Sequence, residues 1–146
     1  MISRQQQSQD GFALIEALVS IAIFSFALIG LVSLQSVAIA SSIDAKYRSD
    51  ASYLANQIIG KVWSDRGAIA TYNHLGAGAP CTAGGAASTN PAVLGWLSDV
   101  AATLPGAPSS VQSLTVGAGN TLTVTICWKR AQETSYHQHV TVAQIN

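Results

Sequence analysis

Between Glu16 and Asp44 the chain carries no charged residue. The apolar run from Ala17 to Ile43 would extend roughly 40 Å as a helix, whereas a bilayer core needs about 20 residues. It is apolar on all sides, the pattern of a helix buried in lipid or in a bundle. Glu16 stands at its head. An acid inside a membrane-length segment costs roughly 2.5–3.5 kcal/mol at a helix centre and less near an end, so a compensating partner is expected.

Cutting the chain supplies one. Hydrolysis after Gly11 would free the amino group of Phe12, four residues before Glu16. Cation and anion would then share one face of the first helical turn, or be offered to neighbouring copies. Such a pairing implies assembly rather than catalysis. Three other readings stand beside it. Glu16 fits an acid at a helix start, favoured by the macrodipole. The segment fits a plain anchor with no processing. Ala38-Ile39-Ala40 has the form of a secretory cleavage site, leaving a periplasmic binding module that begins at Ser41. The apolar stretch ahead of that site, however, exceeds the usual 7–15 residues or so of a signal peptide.

With 146 residues the chain has room for one modest domain beside the membrane segment. Only 10% of residues are charged, and seven basic residues cancel seven acidic ones. Neutrality gives no support to a nucleic-acid partner. Arg4 ahead of the apolar run favours a cytoplasmic N-terminus, while Asp44 and Asp50 offset Lys46 and Arg48 behind it. Cys81 and Cys127 fit one disulfide in an oxidising compartment. It would close a loop worth roughly 4 kcal/mol by chain entropy and pin the connecting loop to a strand. Two free buried thiols are the alternative.

Along the chain, residues 1–11 are polar and aperiodic and read as a leader. Residues 12–43 form the apolar helix. A head follows over 44–146, opening with an amphipathic half-helix over 44–66 that continues the first. Its stripe is Ile43, Tyr47, Ala51, Leu54, Ile58 and Val62. Asp44–Arg48, Lys46–Asp50 and Lys61–Asp65 have i,i+4 ion-pair spacing. Residues 67–90, rich in Gly, Ala, Ser and Thr, read as a loop. Asn90-Pro91 opens a short helix over 91–104 that Pro105-Gly106 stops. Antiparallel strands fall within 111–145: Ser113–Val116, Thr121–Trp128 and Tyr136–Val142, with a turn at Gly117–Asn120. So small a sheet must bury its apolar face against the helix stripe. The fold class is α+β.

No nucleophile elbow, phosphate loop or acid pair suggests an enzyme. Asp99 and Glu133 read as isolated surface residues, and Trp63, Trp96 and Trp128 as core anchors. His137 and His139 share a strand face that a cysteine could join, but the spacing is common by chance and no metal is assigned. No cofactor or small-molecule substrate is expected.

The run GFALIEALVSIAIFSFALIGL, with Gly11, Phe12 and Glu16 in register, resembles the class III signal of type IV prepilins and pseudopilins. The resemblance implies a pilin-like fold, cleavage between Gly11 and Phe12 by a prepilin peptidase, and methylation of the Phe12 amine. It also implies a recruitment role for Glu16. Asp10 departs from the basic leaders of that family. Trp96, Leu104-Pro105-Gly106 and the strand ending Val-Thr-Ile-Cys-Trp at Trp128 are similar to PilV-like minor pilins. These help to start pilus assembly and so support twitching motility and adhesion. The partners implied are other minor pilins, the major pilin, the peptidase and the inner-membrane assembly platform. The location implied is a Gram-negative inner membrane, single-pass with the head periplasmic, and then the pilus. Type II secretion pseudopilins, which serve protein export, share the N-terminal signal.

Overall fold

The computed structural model describes residues 10–82 and 84–146. Most of the leader reading, residues 1–9 with Arg4, lies outside the described residues. The chain separates into two compact units, one ending at Ile43 and the other running Asp44–Asn146. A single α-helix, α1 (Asp10–Ser64), contributes to both.

In the first unit every side chain from Phe12 to Ile43 is exposed. Among the described residues α1 is the one helix long and apolar enough to cross a membrane. Five of the six serine hydroxyls in this run find partners in their own helix. Ser20, Ser25, Ser33 and Ser36 donate to the carbonyls of Glu16, Ile21, Ile29 and Val32 at 2.8, 2.7, 3.1 and 3.2 Å. Ser42 does the same to Ala38 at 2.9 Å.

The second unit begins with the amphipathic part of α1. Ala51, Leu54, Ala55, Ile58, Ile59 and Val62 are buried, Tyr47 packs against them, and Ile43 stays exposed. The helix stops at Ser64, two residues before the expected end at 66. Asp65 therefore leaves helical geometry, and instead of pairing with Lys61 it accepts from the Tyr72 hydroxyl at 3.3 Å. Lys46–Asp50 forms at 3.1 Å, but Asp44 turns to Arg130 (3.3 Å) rather than Arg48. The segment read as loop is not wholly irregular. A 3₁₀ stretch, Arg66–Tyr72, opens it, because Ile69 and Tyr72 dip into the core and hold the chain against it.

The next helix, α2 (Pro91–Thr103), starts as its sequence dictates. The Asn90 side chain accepts from the Ala92 N–H at 2.8 Å, with proline at the first helical position. Its inner face buries Val93, Trp96, Leu97 and Val100. Three strands follow: β1 (Ser113–Gly117), β2 (Thr121–Trp128) and β3 (His137–Gln144). They form an antiparallel meander in the order β1-β2-β3. The β1–β2 turn uses left-handed backbone at Gly119 (φ 65°) and Asn120 (φ 56°), residue types that tolerate it.

Alternation along β2 sends Leu122, Val124, Ile126 and Trp128 to the core, opposite Thr121, Thr123, Thr125 and Cys127. Leu114 of β1 joins them, and one apolar cluster unites this sheet face with α2 and the α1 stripe. The architecture is α+β, a long N-terminal helix packed against a small antiparallel sheet, as the pilin-like pattern implied.

Candidate functional site

The site with the most chemistry in the sequence is the head of α1. Gly11 lies in the first turn, Phe12 follows at 82% exposure, and Glu16 is exposed one helical turn further on. The 3.6-residue repeat places Phe12 and Glu16 on one face. An amine created at Phe12 would thus have the carboxylate of Glu16 within one turn. From Ala17 to Leu34 only serine hydroxyls, bonded back to the helix, interrupt the apolar surface. Glu16 is therefore the single charge for 27 residues downstream, the span from Ala17 to Ile43.

The head brings together the other residues singled out in the sequence. Trp96 is fully buried, and its Nε1–H donates to the Leu54 carbonyl at 2.9 Å, locking α2 onto α1. The Leu104-Pro105-Gly106 turn meets the end of β2, where the Lys129 N–H donates to the Pro105 carbonyl at 3.1 Å. Gly106 is there for two reasons. Its φ is +54°, and a Cβ at this position would lie 2.5 Å from the Lys129 carbonyl oxygen. Trp128, at the end of the same strand, is buried and stacks on His137, ring centroids 5.7 Å apart. Trp63 is not a core anchor. The buried α1 stripe runs through Ile58, Ile59 and Val62, so the next residue turns outward. Trp63 is 41% exposed, with the Arg66 guanidinium over its ring at 5.7 Å.

Cys81 and Cys127 are bonded, with Cα atoms 5.6 Å apart. Cys127 lies on the threonine side of β2, so the bridge ties the 73–90 segment to the outer face of the sheet. Two buried polar side chains that the sequence did not flag complete this anchoring. His74 exchanges backbone hydrogen bonds with Leu114, both 2.9 Å. Its Nδ1 accepts from the Ser88 N–H at 3.1 Å, and its Nε2 lies 3.0 Å from the Ser109 carbonyl, which fixes the Nε2–H tautomer. Gln112 continues β1 with its side chain. Its amide donates to the Cys127 carbonyl at 2.9 Å and accepts from the Cys127 N–H at 2.8 Å. A lone polar residue before a strand carries no sequence signal for this.

Glu133 is not an isolated surface residue. Its carboxylate accepts from the Arg130 guanidinium (2.6 and 2.9 Å) and backbone N–H (3.0 Å), and lies 3.0 Å from His137 Nε2. The Arg130 guanidinium, followed by its N–H and by His137, holds the Glu133 carboxyl down at about 2. Arg130 also reaches Asp44, joining the β2–β3 loop to the start of the head's helix. The short i,i+3 and i,i+4 spacings were visible in sequence, but nothing local pointed to Asp44. His139 bonds the Thr141 hydroxyl at 2.9 Å. Among the described residues no three His, Cys, Asp or Glu side chains gather as metal ligands.

Residues 6–32 match the prokaryotic N-terminal methylation motif. The match spans Gly11, Phe12, Glu16 and the first half of the apolar run. No curated protein and no solved structure gives a significant match to the chain. The methylation motif at the head of a membrane-length helix supports a membrane-anchored protein of the type IV pilin or pseudopilin kind, a structural rather than catalytic class.

Proposed function

We propose that the chain is a minor pilin, PilV-like, that helps to initiate a type IV pilus and so supports twitching motility and adhesion. The observation that carries this is Gly11, Phe12 and Glu16 in register at the head of an apolar helix inside the matched motif. The Trp96, Leu104-Pro105-Gly106 and Trp128 series of the head, with Trp96, Leu104 and Trp128 buried in one core cluster, supports the minor-pilin assignment.

In this reading an inner-membrane prepilin peptidase removes residues 1–11 and methylates Phe12. The chain waits as a single-pass protein, N-terminus inside and head in the periplasm of a Gram-negative cell. Glu16, costly in lipid, pairs with the free N-terminus of a neighbouring subunit, which draws the helix from the bilayer into a bundle. Other minor pilins, the major pilin and the inner-membrane assembly platform are its partners, and the work comes from a cytoplasmic motor.

N-terminal mass analysis of the membrane-extracted protein should find N-methyl-phenylalanine at Phe12. A chain that retains residues 1–11 while fibres form, or that begins at Ser41, refutes the reading. Glu16→Ala should reduce recovery of the chain in sheared fibres at least tenfold, against unchanged levels in the membrane. Gene deletion that spares twitching but stops exoprotein release would move the protein to the type II secretion pseudopilins.

A further inference from the structure

Of the three histidines, His74 alone is buried, at 3% exposure. Both of its ring nitrogens are committed: Nδ1 accepts from the Ser88 N–H at 3.1 Å, and Nε2–H donates to the Ser109 carbonyl at 3.0 Å. Three pieces of the head meet through this residue. Its backbone closes the outer edge of β1 at Leu114, with both bonds 2.9 Å. Its ring holds Ser88, whose hydroxyl donates to the Thr71 carbonyl at 2.9 Å and accepts from the Asn90 N–H at 3.3 Å. Asn90 in turn caps α2.

An imidazole nitrogen that accepts a hydrogen bond carries no proton. A proton on Nδ1 would set one N–H against another across 3.1 Å, and a buried donor left without an acceptor costs more than the lost bond was worth. The surroundings do not offset the charge. A cavity of about 360 Å³ beside the ring is walled by Ser88, Leu94, Leu97, Ala101 and Ser109, with no carboxylate among its lining residues. Among the described residues His74 enters no ion pair. Of the elements packed around it, α2 carries only Asp99, which is exposed, and residues 109–117 carry no titratable group. The 66–90 segment carries Arg66, Tyr72 and Cys81, which are taken by the Asn146 carbonyl, by Asp65 and by the disulfide. The cavity opens to solvent past Ser98 and Ser109, both exposed, so a charged ring has a path to water.

We infer that His74 is an acid-sensitive latch, closed while the ring is neutral and released when Nδ1 takes a proton. Release detaches Ser88, and with it the start of α2, from the outer edge of β1. The folded head accepts only the neutral ring, whereas an unfolded chain takes the proton freely, so acid favours opening. The working range is that of histidine chemistry, roughly pH 5–8, above the range in which Glu133 gains its proton. His137, on the far strand of the sheet, acts in the opposite sense, because its Nε2 lies 3.0 Å from Glu133 and a proton there strengthens the contact. The latch lies wholly within the head and holds whatever role the assembled protein plays.

The test is amide hydrogen exchange on the full chain in detergent, read as protection relative to the intrinsic rate at each pH. Between about pH 7.5 and about pH 5 the Ser88 and Leu114 amides should lose protection about tenfold or more. Ile145, whose N–H donates to the Asn120 carbonyl at the β1–β2 turn, should change by less than about twofold. Unchanged protection at Ser88 or at Leu114 overturns the inference, as does an equal fall at Ile145, the mark of the whole head unfolding. His74→Asn keeps an oxygen acceptor near Nδ1 and cannot take up a proton, so its Ser88 and Leu114 amides should be equally protected at both pH values. A loss in H74N as large as the parent's also overturns the inference, since another group would then be titrating. Should H74N fail to fold, NMR of the parent's ring nitrogens decides: Nδ1 of His74 should gain its proton over the same pH range in which Ser88 loses protection, and a proton gained outside that range refutes the latch.

Discussion

Changing Gly106 to alanine adds one methyl group and should cost more than most core truncations of that size. Left-handed backbone costs a residue with a Cβ about 1–2 kcal/mol, and Gly106 sits at φ +54°. The new Cβ would also lie 2.5 Å from the Lys129 carbonyl oxygen, a backbone atom that cannot swing aside. Relief requires the turn to lift from the end of β2, breaking the 3.1 Å bond between the Lys129 N–H and the Pro105 carbonyl. That bond is worth about 1 kcal/mol, so the total loss is roughly 2–3 kcal/mol. Gly95 is the internal control. It lies within α2 with open space around it, so Gly95→Ala should stabilise by about 1 kcal/mol. Urea unfolding of the full chain in detergent, followed by tryptophan fluorescence, would measure both. The two variants should separate by about 3–4 kcal/mol. If G106A unfolds within about 0.5 kcal/mol of the parent, a typical surface effect, then neither the left-handed turn nor its contact with β2 governs the head.

Two further outcomes follow from the head. Cys127→Ser opens the bridge to Cys81 and should cost roughly 4 kcal/mol by loop-closure entropy, read as a lower urea midpoint that reductant no longer changes. Glu133 is held at about 2 against an ordinary 4.5; a depressed carboxyl stabilises above its unfolded value and loses that contribution as pH falls through the folded one. Stability should therefore decline between pH 4.5 and about 2, less steeply in Glu133→Gln. Equal slopes in the two proteins would refute the ion-pair assignment.

What the sequence disclosed was local. The absence of charge from Ala17 to Ile43, the Asn90-Pro91 start of α2 and the alternation along β2 each sit within a few residues, where period and capping chemistry act. What it hid was contributed by distant partners or by helix phase. Trp63 looked like its fellow tryptophans, yet its place one residue past Val62 turned it outward. Asp44 had Arg48 at helical spacing and chose Arg130, because the β2–β3 loop delivers a guanidinium already fixed by Glu133. Gln112 and His74 gave no periodic signal, since each replaces a missing strand bond rather than extending a pattern. The 3₁₀ stretch Arg66–Tyr72 was masked by the small residues around it, its two buried side chains being too few to set a period.

The serines of α1 have a consequence for how the segment changes surroundings. The hydroxyls of Ser20, Ser25, Ser33, Ser36 and Ser42 are already committed to carbonyls of their own helix. Leaving acyl chains for protein neighbours therefore neither breaks nor makes a bond at these five positions. The exchange is neutral there, and sorting between the two phases falls to side-chain shape, to the Gln35 amide and Ser41 hydroxyl, and to the Glu16 carboxylate.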